Sequence, residues 1–190
     1  MREFVLASSN PHKIEEFSVL LNSDTVKITS PSKKIEVEET GTTFIENSLL
    51  KAKTYFEKFN LPAVADDSGL VVSALPNDLG VYSARFGAPS LDDEGRARLL
   101  LDKLAEEENR SAYFICQLCF YINPEEIFYF EGRLNGTIGK DYLGEDGFGY
   151  DPVFVPEGFK PDETLATMPI WKKDHSHRAI ACSFANKFFK

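Results

Sequence analysis

The segment that most constrains this chain is Leu61-Pro62-Ala63-Val64-Ala65-Asp66-Asp67-Ser68-Gly69, an apolar run that ends in two adjacent carboxylates, a hydroxyl and a glycine. Neighbouring residues on a strand point to opposite faces, so two consecutive acids cannot share one solvent-facing side. Asp is depleted within strands, and an unpaired buried carboxylate is costly. The pair is therefore expected at a strand end, between strands near 62–65 and 70–74, with Gly69 letting the backbone turn or approach a ligand. Asp-Asp-Ser-Gly by itself reads as a polar turn. Other segments of the chain give it chemical company.

With 190 residues, 43% of them apolar and 13% aromatic, the chain is long enough to bury a sizeable core as one domain spanning 1–190. No apolar stretch approaches the roughly 18 residues of a membrane span. The opening Met1-Arg2-Glu3-Phe4-Val5-Leu6-Ala7-Ser8 is too short an apolar run for a signal peptide. Three cysteines do not make a disulfide framework, so a reduced, cytoplasmic protein without a membrane partner is expected. A net charge of −9 argues against nucleic-acid binding, which rests on Lys and Arg neutralising phosphates. A small anionic substrate remains compatible, given a divalent metal or a few well-placed cations.

Local signals outline an α/β or α+β order of elements. Phe4 to Ala7 reads as a buried strand, followed by a helix through Leu21 with Asn10 as N-cap, Pro11 in the first position and Glu15 and Glu16 near its start. Thr43 and Glu46 form a capping box, and the helix they open places Ile45, Leu49, Ala52, Phe56 and Phe59 on one stripe. Asn47 and Lys51 lie i, i+4 on another face, where both can serve one ligand. Ser90 and Asp93 are expected to open a helix to about Glu108. Strands follow from Ser111 to Ile122 and from Ile127 to Leu134, with a turn at Asn123-Pro124. A last helix is expected from near Ser176 almost to Lys190.

Four constellations could carry chemistry. In the first, Ser8-Ser9-Asn10-Pro11-His12-Lys13 joins a strand to a helix, and a helix N-terminus with a nearby lysine suits phosphate. It lacks the glycines of a Walker A loop, and alone it is an ordinary capped helix. In the second, the acidic loop Glu36-Val37-Glu38-Glu39-Thr40-Gly41 joins Asp66 and Asp67 as oxygen ligands of the kind Mg²⁺ takes, one or two carboxylates plus substrate phosphates. A solvated acidic face would look the same. The third is Gly144 to Phe154, where glycines around Phe148 and Tyr150 leave a ring open to a flat base and Asp151 can accept a hydrogen bond. The fourth is Lys172-Lys173-Asp174-His175-Ser176-His177-Arg178. His177 and Arg178 fall in a first helical turn, where a cation opposes the helix dipole, which points to a ligand rather than to stability. Cys116-Gln117-Leu118-Cys119 imitates a metal pair, but its thiols would face opposite sides of a strand and it reads as structural.

Together and in this order, these segments resemble the inosine triphosphate pyrophosphatase family. The stretches that carry the resemblance are Leu6 to Lys13, Glu38 to Asn47, Ala65 to Leu70, Gly80 to Phe86, Gly147 to Pro152 and Ser176 to Arg178. The resemblance implies an α/β fold of two lobes around a long mixed, twisted sheet, with flanking helices, a central cleft and a homodimer. It implies Mg²⁺-dependent hydrolysis of the non-standard purine nucleoside triphosphates ITP, dITP and XTP to the monophosphate and pyrophosphate, cleansing the nucleotide pool. By the same match, Ser8, Ser9, Asn10, Pro11, His12 and Lys13 hold the triphosphate, and Lys51 and Ser68 contact phosphate or sugar. Glu38 and Asp67 hold Mg²⁺, with Asp67 also the general base. Phe148, Gly149, Tyr150, Asp151, Lys172, His177 and Arg178 enclose the base. Maf-like nucleotide pyrophosphatases also begin with a strand and a short polar loop, but they expect arginines where Asn10-Pro11-His12-Lys13 stands. A nucleotide sensor without turnover would not need the acids.

Overall fold

A computed structural model describes residues 1–33, 35–87 and 90–190. Strand β1 (Arg2–Leu6) begins with exposed Arg2 and Glu3 and ends in the continuous apolar run Phe4-Val5-Leu6, buried on both faces. Phe4 and Leu6 enter a core with Phe17, Phe120 and Cys182, while Val5 and the following Ala7 enter another with Ala52, Tyr55 and Tyr121. Burial on both faces is what near-continuous apolar strands require. Helix α1 (Pro11–Leu20) follows, then β2 (Val26–Thr29), α2 (Phe44–Phe59) and β3 (Ala63–Val72). Both β2 and β3 pair with β1 in parallel, Val5 lying opposite Ala63 and Leu6 opposite Val64.

The chain continues with α3 (Asp93–Lys103), β4 (Ser111–Asn123), β5 (Glu126–Ile138), β6 (Phe154–Pro156), α4 (Pro169–His175) and α5 (His177–Phe188). The strands form one six-stranded mixed sheet in the order β2-β1-β3-β4-β5-β6, β6 running antiparallel to β5. With its flanking helices this is an α/β fold. The chain divides into two compact units, one of Met1–Ser68, Cys116–Gly132 and His177–Lys190, the other of Gly69–Ile115 and Arg133–Ser176. In the first unit, α1 and α5 contribute Phe17, Ala181 and Cys182 to one core, and α2 contributes Ala52 and Tyr55 to the other. The second unit has its own core, built around Leu70, Leu100, Phe114, Phe154 and Leu165. No helix among the described residues is long and apolar enough to cross a membrane.

Several local expectations hold. Asn10 caps α1 by accepting from the His12 and Lys13 amides, and Thr43 and Glu46 form a complete capping box on α2. Cys116 and Cys119 fall in different cores on the two faces of β4, both buried, and burial pushes both thiols up, Cys119 to about 12. Other expectations are corrected. The paired acids do not end a strand: β3 continues unbroken from Ala63 to Val72 through Asp66, Asp67 and Gly69. Asp92, not Ser90, caps α3 by accepting from the Gly95 amide, and α3 ends at Lys103 because Leu104 leaves helical geometry. Glu15 and Glu16 lie beyond the first turn of α1. Ile45 is half exposed and leaves the apolar stripe of α2 to Ala52, Tyr55 and their neighbours.

The start of α5 approaches β5 closely because Gly132 has no side chain. A Cβ there would overlap the His177 carbonyl oxygen and the Ala181 amide nitrogen, both backbone atoms that cannot rotate away. Gly132→Ala is expected to destabilise by about 1–3 kcal/mol, the usual range for overpacking. Thermal denaturation should register this as a drop of roughly 2–4 °C per kcal/mol.

Candidate functional site

Asp66 and Asp67 sit within β3 at 1% and 5% exposure, so each must be neutralised locally rather than by water. The pleat sends them to different sides. Asp66 shares its face with Val64, which belongs to the core lined by α1 and α5; Asp67 shares the face of Ala63 and Ala65, against which α2 lies.

On the first side, Lys13 of α1 reaches Asp66, its Nζ 2.8 Å from Oδ2. Burial alone would push the Asp66 carboxyl up, but the charges of Lys13, Lys51 and Arg178 outweigh it and hold the group at about 2. The Arg178 guanidinium, buried at the start of α5, lies 3.2 Å from Glu16 Oε2 and donates to Ser68 Oγ at 3.4 Å. Its Nη1 also lies 3.0 Å from His177 Nε2. Because a guanidinium has only donors, the imidazole nitrogen is the acceptor in that contact. Glu16 thus supplies the anion that offsets a cation placed against the helix dipole. Ser8 and Asn10 are half-buried; Ser9, Pro11 and His12 are exposed. The amides of His12 and Lys13 are already used in the Asn10 cap, at 2.9 and 3.3 Å.

On the other side, Asn47 and Lys51 of α2 converge on Asp67, as their spacing suggested. Asn47 Nδ2 donates to Asp67 Oδ2 at 3.1 Å while its Oδ1 accepts from the Gly41 amide at 2.8 Å, so one buried amide ties the acidic loop to the catalytic candidate. Lys51 Nζ lies 2.6 Å from Glu39 Oε1 and 3.6 Å from Asp67 Oδ1. Burial raises the Asp67 carboxyl above the ordinary carboxylate range, and Lys51 only partly opposes this. Lys51 is itself shifted upward, its own burial being outweighed by Asp66, Asp67 and Glu39. Lys51 against Glu39 and Asp67 leaves this side one net negative charge, which favours a cation.

The model of the Ham1 family matches residues 4–188. The chain belongs to the Ham1 family. It is 44% identical to a Leptospira interrogans protein named dITP/XTP pyrophosphatase, covering all of this chain and 98% of that one. A relative of the same name from Aquifex aeolicus is 42% identical over 94% of this chain and 92% of its own. Among solved structures, the Staphylococcus aureus Ham1 protein superposes with a TM-score of 0.86 at 37% identity, covering 98% of this chain and 97% of that one. A HAM1 protein from Coxiella burnetii gives the same TM-score, 0.86, at 34% identity over 99% and 98% of the two chains.

In this Ham1 chain the second unit carries a separate polar and aromatic group. Asp151 Oδ2 accepts from the Phe148 amide at 2.9 Å and from Lys172 Nζ at 2.7 Å, and that ammonium stands 4.9 Å from the centre of the Phe148 ring. Gly147, at φ +84°, makes the turn possible: a Cβ there would overlap the Asp151 carboxylate. Tyr150 is buried and donates to the Ser83 carbonyl at 2.7 Å, and the Gly149 amide donates to Asp93 at 2.9 Å.

The first unit therefore brings together Lys13, Lys51, Asp67, Ser68, His177 and Arg178, and the second gathers Phe148, Gly149, Tyr150, Asp151 and Lys172. Glu38 is exposed on its loop, and among the described residues it makes no ion pair; the neighbouring Glu39 is the one drawn to Lys51. Sequence reasoning gave Glu16 only a place on its helix, Glu39 only a place in the acidic loop, and Asp66 no place distinct from that of Asp67. A signal existed for Glu16, three residues beyond Lys13 on the same helical face. None separated Glu38 from Glu39, since adjacent loop acids have no period to sort them.

The Lys172–Asp151 pair is buried, with side chains 9% and 4% exposed. Asp151→Asn, which removes the carboxylate facing a buried ammonium, is expected to lose about 3 kcal/mol in urea titrations. Adding Lys172→Met to that variant should recover most of the loss. If the double variant were as unstable as the sum of its singles, the pair would not be coupled.

Proposed function

We propose that this chain hydrolyses ITP, dITP and XTP to the monophosphate and pyrophosphate, as a homodimer in the cytoplasm. The observation that carries the reading is Asp67: a carboxylate with raised proton affinity, fixed by Asn47 and flanked by Lys51 on a strand whose preceding residue, Asp66, is held by Lys13. The names of the relatives support the substrate class. The homodimer follows from the family resemblance, and the compartment from the cysteine usage.

Water oxygen bonds to the α-phosphorus, the bond from that phosphorus to the bridging oxygen breaks, and pyrophosphate leaves. Asp67 takes the proton of the attacking water, a role for which a raised carboxyl is better matched than an ordinary one. Lys13 and Lys51 neutralise charge on the phosphates, with Ser8, Ser9, Asn10, Pro11, His12 and Ser68 lining their approach. In phosphoryl transfer such positioning and charge stabilisation account for most of the catalysis.

The donor set fits Mg²⁺, which takes one or two carboxylates and leaves other positions to water and phosphate. Asp67 and Glu38 would hold it, Asp67 lying where Lys51, Glu39 and Asp67 leave one excess negative charge. When bound, the ion supplies further neutralisation of the phosphates. Phe148 is the proposed stacking surface for the base, Gly149 and Tyr150 shape its loop, and Asp151, oriented by Lys172, accepts from N1–H. Arg178 or His177 donates to the purine O6, which adenine replaces by an amino group.

Pyrophosphate release from a panel of ITP, dITP, XTP, ATP and GTP tests the reading. Turnover of ITP, dITP and XTP over ATP is expected, abolished by EDTA and restored by Mg²⁺; undiminished hydrolysis in metal-free buffer would contradict the carboxylate assignment. Asp67→Asn should lower kcat at least roughly 10²-fold, and near wild-type turnover would remove Asp67 from the mechanism. Arg178→Ala should reduce kcat/KM for ITP roughly 10- to 150-fold and for ATP much less. Equal losses on both nucleotides would place Arg178 on the phosphates instead.

A further inference from the structure

Among the described residues Asp66 is as buried as any charged group, yet the proposed hydrolysis leaves it without a task. Its surroundings differ from those of Asp67. Its Oδ2 is bonded to Lys13 Nζ at 2.8 Å, with the two side chains 2% and 15% exposed. The Lys13 backbone is fixed at the start of α1 because its amide is bonded to the Asn10 cap. Only the flexible four-carbon stem can swing, and Asp66 holds its tip. An ammonium has three donors, so one bond to Asp66 leaves two for another acceptor.

The charges on this side also balance. Lys13 and Arg178 are offset by Asp66 and Glu16, with Arg178 turned to Ser68 and Glu16 rather than left to repel Lys13. Asp67, on the opposite face, is met by Asn47 and Lys51. The two adjacent acids thus have separate direct partners drawn from separate helices, while the charge of Lys51 acts on both.

We propose that Asp66 is a positioning residue, a permanent buried counter-anion that aims the Lys13 ammonium at a polyphosphate and serves neither as base nor as metal ligand. The proposal rests on the hydrolase reading for its substrate but not for its geometry. Without Asp66 the ammonium loses its anchor, and polyphosphate affinity falls while the proton-accepting group is untouched.

The test compares Asp66→Asn, Asp66→Glu, Lys13→Ala and the Asp66→Asn/Lys13→Ala double variant. In Asp66→Asn, KM for ITP should rise about 10-fold or more, the scale of one charge-assisted hydrogen bond, with kcat within about 3-fold and the half-saturating Mg²⁺ concentration unchanged. Calorimetric titration with inorganic tripolyphosphate in metal-free buffer should show a similar loss of affinity. Asp66→Asn should add little once Lys13 is Ala, since coupled residues are non-additive. Asp66→Glu keeps the charge and should recover part of the affinity; it also serves as the readout should Asp66→Asn fail to fold. A fall in kcat at constant KM would make Asp66 catalytic, a raised Mg²⁺ requirement would make it a metal ligand, and additive losses with Lys13→Ala would uncouple it from the lysine. Each result overturns the proposal. A wild-type protein that releases no pyrophosphate from ITP would refute the hydrolase reading, while the tripolyphosphate titrations would still decide the role of Asp66.

Discussion

Two carboxylates in the middle of a buried strand are an electrostatic problem before they are a catalytic device. Taking a carboxylate out of water costs several kcal/mol unless a partner is close and well aligned. In this chain the partners are Lys13 for Asp66 and the Asn47–Lys51 pair for Asp67. Much of the local architecture serves that requirement. Helix α1 is started by Asn10 so that its first turn delivers Lys13, and α2 is started by a capping box so that Asn47 and Lys51 face β3 one turn apart. Gly132 admits the start of α5, which brings Arg178 within reach of its counter-ion Glu16 on α1.

The environments drive the two acids in opposite directions. Asp66 is surrounded by cations and stays ionised, whereas burial and the neighbouring anions Glu39 and Asp66 raise Asp67 toward a group that can accept a proton. Environments that separate the proton affinities of neighbouring acids are a common way to assign them different chemical roles. Asn47 adds a mechanical link, since the amide that steadies Asp67 is itself held by the Gly41 backbone of the acidic loop.

What could be read from the sequence was local or carried by resemblance. The Asn10 cap, the Thr43–Glu46 box and the shared face of Asn47 and Lys51 depend on residues within two turns, and their spacing is visible in the chain. The place of Asp66 and Asp67 was not visible. A strand interior is the wrong place for acids unless cations arrive from distant segments, and Lys13 and Arg178 lie far away in sequence. The strand-end expectation therefore failed for lack of tertiary information, not of local propensity. Likewise Ser90 and Asp93 looked like a helix start, but Asp92 is the residue whose carboxylate meets the Gly95 amide, and such one- or two-residue shifts decide helix ends. Full-length similarity to Ham1 proteins settled the fold class; it does not by itself distribute roles among adjacent acids such as Glu38 and Glu39.

The pairing of β3 with β1 sets Val5 opposite Ala63 and Leu6 opposite Val64, and this alignment decides which acid meets which helix. Side chains alternate with a period of two, so a slip of one residue would exchange every face. Asp66 would then turn to Lys51 and Asp67 to Lys13, with all the same residues present and the assignment of base and counter-anion inverted. The spacing between the residues of β3 that pair with β1 and the two acids is therefore as much a part of the chemistry as their identity. An extra residue inside the strand, at Ala65 for instance, would exchange the faces of Asp66 and Asp67 and rewire the charges without changing one of them.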